Sequence, residues 1–244
     1  MTEWERLMPV EDAEPARWLA SALEEPRGRG DRASHAAAVI PRGFEAYARL
    51  FHPAWLAGEE RELTWAEAAA RAGTRPHARM QWYAVSRAGD SDVGWRGLVP
   101  PEPGRMPEWM LEALAGLLER HTRTPGECFF AVWDGWGLPV FATLRGRTAH
   151  VRLRDRGYYL LRGDVRAAAE RVSPPSPQHA SIWWPEDRAW CVATGVDMMW
   201  TYVAGSETCV AEILADGRLE AWRASPDDRA DAGGDEVNAP ECTC

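Results

Sequence analysis

Residues 181–206, S-I-W-W-P-E-D-R-A-W-C-V-A-T-G-V-D-M-M-W-T-Y-V-A-G-S, hold four of the chain's 14 tryptophans, at positions 183, 184, 190 and 200. Aromatic side chains at this density need a sheet interior or a pocket wall to cover them. The pattern predicts a Pro-terminated aromatic loop, a strand over 189–194, a short acidic turn and a second strand over 198–203. Ser206 then caps a helix running to about residue 214. A shorter stretch of the same character, F-F-A-V-W-D-G-W-G at 129–137, reads as a strand followed by an Asp-Gly turn. Both stretches are expected at the centre of the sheet and along one rim of any pocket.

The remaining elements are placed by their punctuation. Pro15 opens a helix over 11–23, with Trp18, Leu19, Ala22 and Leu23 on one stripe. Residues 39–53 are bounded by Pro41, Gly43 and Pro53 and read as strand, bend, strand. Alternation puts Tyr47, Arg49 and Phe51 on one face and Ala46, Ala48, Leu50 and His52 on the other. A helix from Glu45 competes, because alanine-rich runs favour helix. Thr64 and Glu67 form a capping box for a helix that Gly73 ends. The firmest helix is 107–121, with Met110, Leu111, Leu114, Leu117 and Leu118 on one face. Strands are expected over 80–85, 127–133, 140–144, 149–153, 157–162 and 219–223, and Asp164 caps a short helix. Helices and strands alternate without a regular βαβ rhythm. The expected class is therefore α+β, a single globular domain with a mainly antiparallel mixed sheet and flanking helices. Residues 1–34 form an N-terminal helix and linker packed on the body, 35–224 the domain, and 225–244 an acidic tail expected to be disordered.

Arginine supplies all 28 basic residues and lysine is absent. That excludes Schiff-base lysine chemistry, a Walker A lysine and a kinase strand lysine. The net charge is −9, and a mildly acidic body argues against a nucleic-acid partner, which requires a basic footprint. No apolar run reaches the 18–20 residues of a spanning helix, no basic-then-apolar leader is visible, and a membrane partner is not expected. The chain reads as cytoplasmic.

Enzyme signatures are missing. There is no H-E-x-x-H, no C-x-x-C pair and no G-x-S-x-G. The formal G-x-G-x-x-A at Gly28, Gly30 and Ala33 follows Glu24-Glu25-Pro26 and not a strand, which removes the dinucleotide reading. The six histidines are scattered and the five cysteines are widely spaced except for Cys242 and Cys244; two ligands on a terminus do not make a metal site. No catalytic residue, metal or cofactor is assigned. Two aromatic-plus-charged groups remain. One is Trp133, Asp134 and Trp136 at a strand end, and the other is Trp183, Trp184, Asp187 and Arg188. Such groups suit a small polar ligand or a partner's side chains. Tyr47 and Arg49 complete the candidate set, with Arg49 or Arg188 as the anion-gripping group.

W-W-P-E-D-R-A-W-C-V-A-T at 183–194, T-Y-V-A-G-S at 201–206 and F-F-A-V-W-D-G-W-G at 129–137 resemble a family of uncharacterised actinobacterial proteins. H-T-R-T-P at 121–125 and G-F-E-A-Y-A-R-L-F-H-P at 43–53 share in that resemblance, which spans most of residues 39–224. It implies a shared fold and a cytosolic protein from a GC-rich bacterium, and it carries no activity. The functional expectation is a non-catalytic binding or interaction module of immunity or regulatory type, with Trp183 and Trp184 as contact residues. The alternative is a small-polar-ligand binder or hydrolase in which Asp134 and Asp187 converge on one aromatic pocket.

Overall fold

Alternating side chains along Ala46–Phe51 are all buried, so both faces of that strand need cover. In the computed structural model, which describes residues 5–24, 35–87 and 97–238, helices and loops supply it. The strands are β1 (Met8–Pro9), β2 (Ala46–Phe51), β3 (Ala54–Leu56), β4 (Arg61–Leu63), β5 (Leu98–Val99), β6 (Cys128–Trp133), β7 (His150–Leu153), β8 (Arg156–Gly163), β9 (Ile182–Pro185), β10 (Cys191–Thr194), β11 (Trp200–Gly205) and β12 (Ala221–Ala224). The helices are α1 (Arg17–Ala22), α2 (Trp65–Ala72), α3 (Trp82–Ser86), α4 (Glu108–Leu118), α5 (Phe141–Leu144) and α6 (Glu207–Ala215). The main sheet runs β1-β8-β6-β9-β10-β11-β2-β12, with β7 also on β8, and β4-β3-β5 form a smaller sheet. Every pairing among the described residues is antiparallel. The fold is a single α+β domain.

The sheet separates two apolar layers. On one side Ala48, Leu50, Phe130, Val132, Trp183, Val192 and Val203 meet Leu111, Leu114 and Leu118 of α4 and Val210 and Ile213 of α6. On the other, Tyr47, Phe51, Ala131, Trp184, Cys191, Trp200 and Tyr202 meet Leu19 of α1, Trp65 of α2 and Trp82 of α3. Trp65 is the centre of this second layer: its ring lies 4.6 Å from Phe51 and 5.4 Å from Trp82, centroid to centroid. Its indole N–H donates to the His52 carbonyl at 2.7 Å, so the polar tip is satisfied inside the core.

Local signals hold where they close hydrogen bonds within a few residues. The Thr64 and Glu67 capping box forms, and Gly73 ends α2 at φ +69°. Ser206 accepts from Cys209 N and Asp164 from Ala167 N, each opening its helix. Short apolar runs are different. Residues 80–85 and 140–144, expected as strands, instead lead into the helices α3 and α5, because a run of five or six residues has too few turns to display its period. Residues 181–185, expected as an aromatic loop, form β9, held between β6 and β10; Pro185 is tolerated as the last residue of the strand.

The acidic tail is the larger correction. Residues 225–238 are not disordered but cross the α1–α3 face. Ala36 and Ala37 donate backbone N–H groups to the carbonyls of Asp228 and Pro226. Ala230 enters the core, and the carboxylate of Asp235 accepts from Gln81 N at 3.1 Å and from Asn238 N at 2.8 Å, with His77 Nε2 2.8 Å away. Composition predicted disorder because small and acidic residues bury little; paired backbone, the Asp235 carboxylate, the Arg42–Asp227 ion pair and the Asn238 amide on the Arg75 backbone hold the segment instead. The glycine-rich segment at 28–33 and the Cys242–Cys244 pair lie outside the described residues.

Candidate ligand-binding cavity

Two turns and a helix meet at one end of the main sheet. The β10–β11 turn contributes Gly195 to Met199, the β7–β8 turn contributes Arg154 and Asp155, and α3 brings Trp82, Tyr83 and Ala84. Together with Ala38, Val39 and tail residues 230–232 they surround a cavity of about 650 Å³ on the α1–α3 face. Ile182, Tyr158 and Trp200 also line it. Its volume lies within the range of small-molecule sites, and the lining is mostly aromatic and aliphatic with a few polar groups, as such sites require. Met198 and Met199 add adaptable thioether surface.

The polar wall is organised by Arg156. Its Nη2 pairs with Asp197 at 3.1 Å, and its guanidinium lies 5.4 Å from the Trp133 ring centroid. Arg154, in the left-handed region at φ +60°, donates to the Ala38 carbonyl and so ties the hairpin turn to residues 36–38. Burial pushes the Tyr158 phenol up to about 12, which keeps it protonated at neutral pH.

The sequence-derived site residues divide into three groups. Trp133, Asp134 and Trp136 sit beside the cavity, joined to it through Arg156. Trp133 and Trp136 pack edge to face at 5.1 Å, and Asp134 pairs with His150 at 2.8 Å. None of the three lines the cavity. Tyr47 and Arg49 are structural. The Tyr47 hydroxyl donates to the Pro41 carbonyl at 3.2 Å. Arg49 is buried, donates to the carbonyls of Ala78 and Met80 at 3.1 and 2.9 Å, and has its pKa lowered by burial to about 10.

The third group is corrected by the structure. Trp183 and Trp184 are 2% and 1% exposed and face opposite layers of the core, so neither can be a contact residue on a loop. Asp187 is taken up by the chain itself, accepting from Thr122 Oγ1 at 2.7 Å and Arg123 N at 2.8 Å. Burial pushes its carboxyl up, but these bonds outweigh that and hold it below its ordinary value. Arg188 is exposed, 5.4 Å from the Trp18 ring centroid. Asp134 follows the last residue of β6, whereas Asp187 bonds to residues that precede its first. A six-residue strand spans about 20 Å, so the two carboxylates do not converge on one pocket.

Gln81, Arg154, Arg156 and Met198 were not singled out by sequence reasoning. The only local sign was the R-L-R-D-R-G run at 152–157, three arginines around one turn. His52 and the buried cysteines are poorly placed for proton transfer or nucleophilic attack. His52 sits on the α4–α6 face, its Nε2 2.9 Å from Thr201 Oγ1, and burial depresses its pKa to about 3. Burial pushes the thiols of Cys128 and Cys209 up to about 12 and that of Cys191 higher still. Among the described residues no group of three or more His, Cys, Asp or Glu is placed to hold a metal ion, and no helix is long and apolar enough to cross a membrane.

Comparison with protein-family models, curated proteins and solved structures finds no match to the chain. Its functional assignment therefore rests on its own geometry.

Proposed function

We propose that the protein binds a small organic molecule in the cavity beside the β10–β11 turn and does not transform it. The observation that carries this reading is the aromatic and thioether lining of a cavity of about 650 Å³. Two of its carboxylates are engaged in ion pairs, Asp197 with Arg156 and Asp231 with Arg229 outside the lining. The Asp134–His150 pair lies outside the lining. The test is calorimetric titration with a naphthalene-sized apolar probe, followed by the same titration of Ala84→Phe, which projects a ring into the cavity from a partly exposed position on α3. Binding by the wild-type chain that the variant loses, at an unchanged melting temperature, supports the reading. Equal binding by both proteins removes it.

A protein-interaction reading keeps one observation, at a different place from residues 183–184. Trp55 and Trp109 are 43% and 38% exposed and flank Glu62, which pairs with Trp55 across the small sheet and accepts from Trp109 Nε1 at 3.0 Å. Exposed tryptophans around one polar group suit an interface hot spot. A stoichiometric partner retained equally by wild-type and Trp55→Ser/Trp109→Ser protein in a pull-down removes this second reading.

A further inference from the structure

We infer that the ligand of this cavity is an organic acid, an apolar or aromatic body carrying a carboxylate-type group; the inference rests on the small-molecule reading above. The wall is rich in donors that have no acceptor. Gln81 Nε2, Trp200 Nε1 and Arg154 Nε are buried without a hydrogen-bond partner, and all three side chains line the cavity. Arg49 Nε and the Tyr202 hydroxyl, also unpartnered, lie one layer behind Trp200. The Trp200 indole N–H acts on the Tyr202 phenol and lowers its pKa, against the dominant effect of burial, without reaching full hydrogen-bond geometry. Arg49 adds a buried positive charge that donates to the carbonyls of Ala78 and Met80, while Asp228 and Asp235 act on it through space.

A donor buried without an acceptor is a standing cost that a bound acceptor relieves. The acids that could neutralise such a wall are occupied or outward: Asp197 holds Arg156, Asp231 holds Arg229, and Asp155 is exposed. A carboxylate is acceptor-only with two oxygens, so it can serve several of these donors together. An ammonium ligand brings more donors and satisfies none of them. The unpartnered nitrogens are buried within residues that line the cavity, so ligand oxygens meet them as the Gln81 amide and the Arg154 guanidinium turn toward the bound molecule.

Three probes of one shape separate the possibilities in the full chain: 2-naphthoate, 2-acetylnaphthalene and 2-naphthylmethylammonium, each titrated calorimetrically. The acid is expected to bind about 10-fold more tightly than the ketone, roughly one charge-assisted bond's difference, and the ammonium compound not at all at the same concentrations. Gln81→Leu and Arg154→Met are each expected to narrow the acid-to-ketone ratio to about 3-fold or less; should either variant fail to fold, the wild-type ratio decides. A ketone bound as tightly as the acid, or an ammonium compound bound best, overturns the organic-acid assignment and leaves the small-molecule reading standing. Absence of binding by all three probes removes both.

Discussion

The guanidinium carbon of Arg49 lies 3.9 Å from the centroid of the Trp200 ring, with both side chains buried in the layer that faces the cavity. The pair explains how a charge survives in an apolar core. The ring face offsets part of the charge, and the carbonyls of Ala78 and Met80 take two of the guanidinium nitrogens. The same bonds fix the approach to α3, which supplies one wall of the cavity, so Arg49 acts as a positioning residue.

Arg49→Lys is expected to destabilise the fold more than Arg49→Met. Lysine keeps the charge but loses the planar fork that spans two carbonyls and stacks on the ring. Methionine removes the charge and keeps most of the volume. Urea unfolding should show Arg49→Lys losing about 2–3 kcal/mol and Arg49→Met about 1 kcal/mol. The reverse order would mean that the charge itself is what the core requires.

Stability should fall with acid before most carboxylates titrate. His52 is fully buried and its pKa is depressed to about 3, so between that value and the ordinary 6.5 the unfolded chain binds more protons than the folded one. Its contribution is complete above pH 6.5 and is lost progressively as pH falls toward 3, at up to about 1.4 kcal/mol per pH unit. His179, depressed to about 4 with burial as the main cause, acts in the same direction. The melting temperature of the wild-type chain should drop more between pH 7 and pH 5 than that of His52→Gln; parallel curves would contradict the assignment.

Two glycines with nearly the same backbone angle should respond differently to alanine. Gly104 has φ +73° and donates its N–H to the Met198 carbonyl at 2.8 Å. A β-carbon there would stand 2.5 Å from the Val196 carbonyl oxygen and 2.8 Å from the Trp136 ring. Gly146 has φ +74° and open space around it. Gly146→Ala is expected to cost about 1 kcal/mol from backbone strain alone, and Gly104→Ala about 3 kcal/mol, since clash adds to strain. Thermal unfolding of the two variants gives the comparison directly.

The tail is held to the body largely by polar contacts, through Asp227, Asp235 and Asn238, so it should detach as a unit. Burial pushes the Asp235 carboxyl up, but bonds from Asn238 and Gln81 N outweigh it and hold it below its ordinary value. Asp235→Ala leaves the Gln81 and Asn238 donors without their acceptor, a loss of about 1–3 kcal/mol. Amide exchange over 226–238 should accelerate in that variant while exchange in β6 and β11 stays slow. Uniform acceleration throughout would show that the tail is integral to the global fold and not a separate strap.

What could be read from the chain alone was local or periodic. The strict alternation of Ala46–Phe51 assigned both faces of β2 correctly, because a strand's side-chain period is 2 and all six residues are buried. The Thr64 capping box and the Ser206 and Asp164 caps form because each closes its hydrogen bonds within three residues. The sheet centre was expected in the tryptophan-rich stretch, and β9, β10 and β11 lie there. Only tertiary structure decided which tryptophans could touch a ligand. Trp183 and Trp184 are neighbours in sequence but face opposite layers, and Asp134 and Asp187 stand at opposite ends of one strand. The cavity likewise joins Gln81, Arg154 and Trp200, residues separated by dozens of positions, and the tail at 230–232 completes it. No periodicity or cap records such a juxtaposition. It arises when the antiparallel register brings two turns to the same end of the sheet and the helices above leave the space between them unfilled.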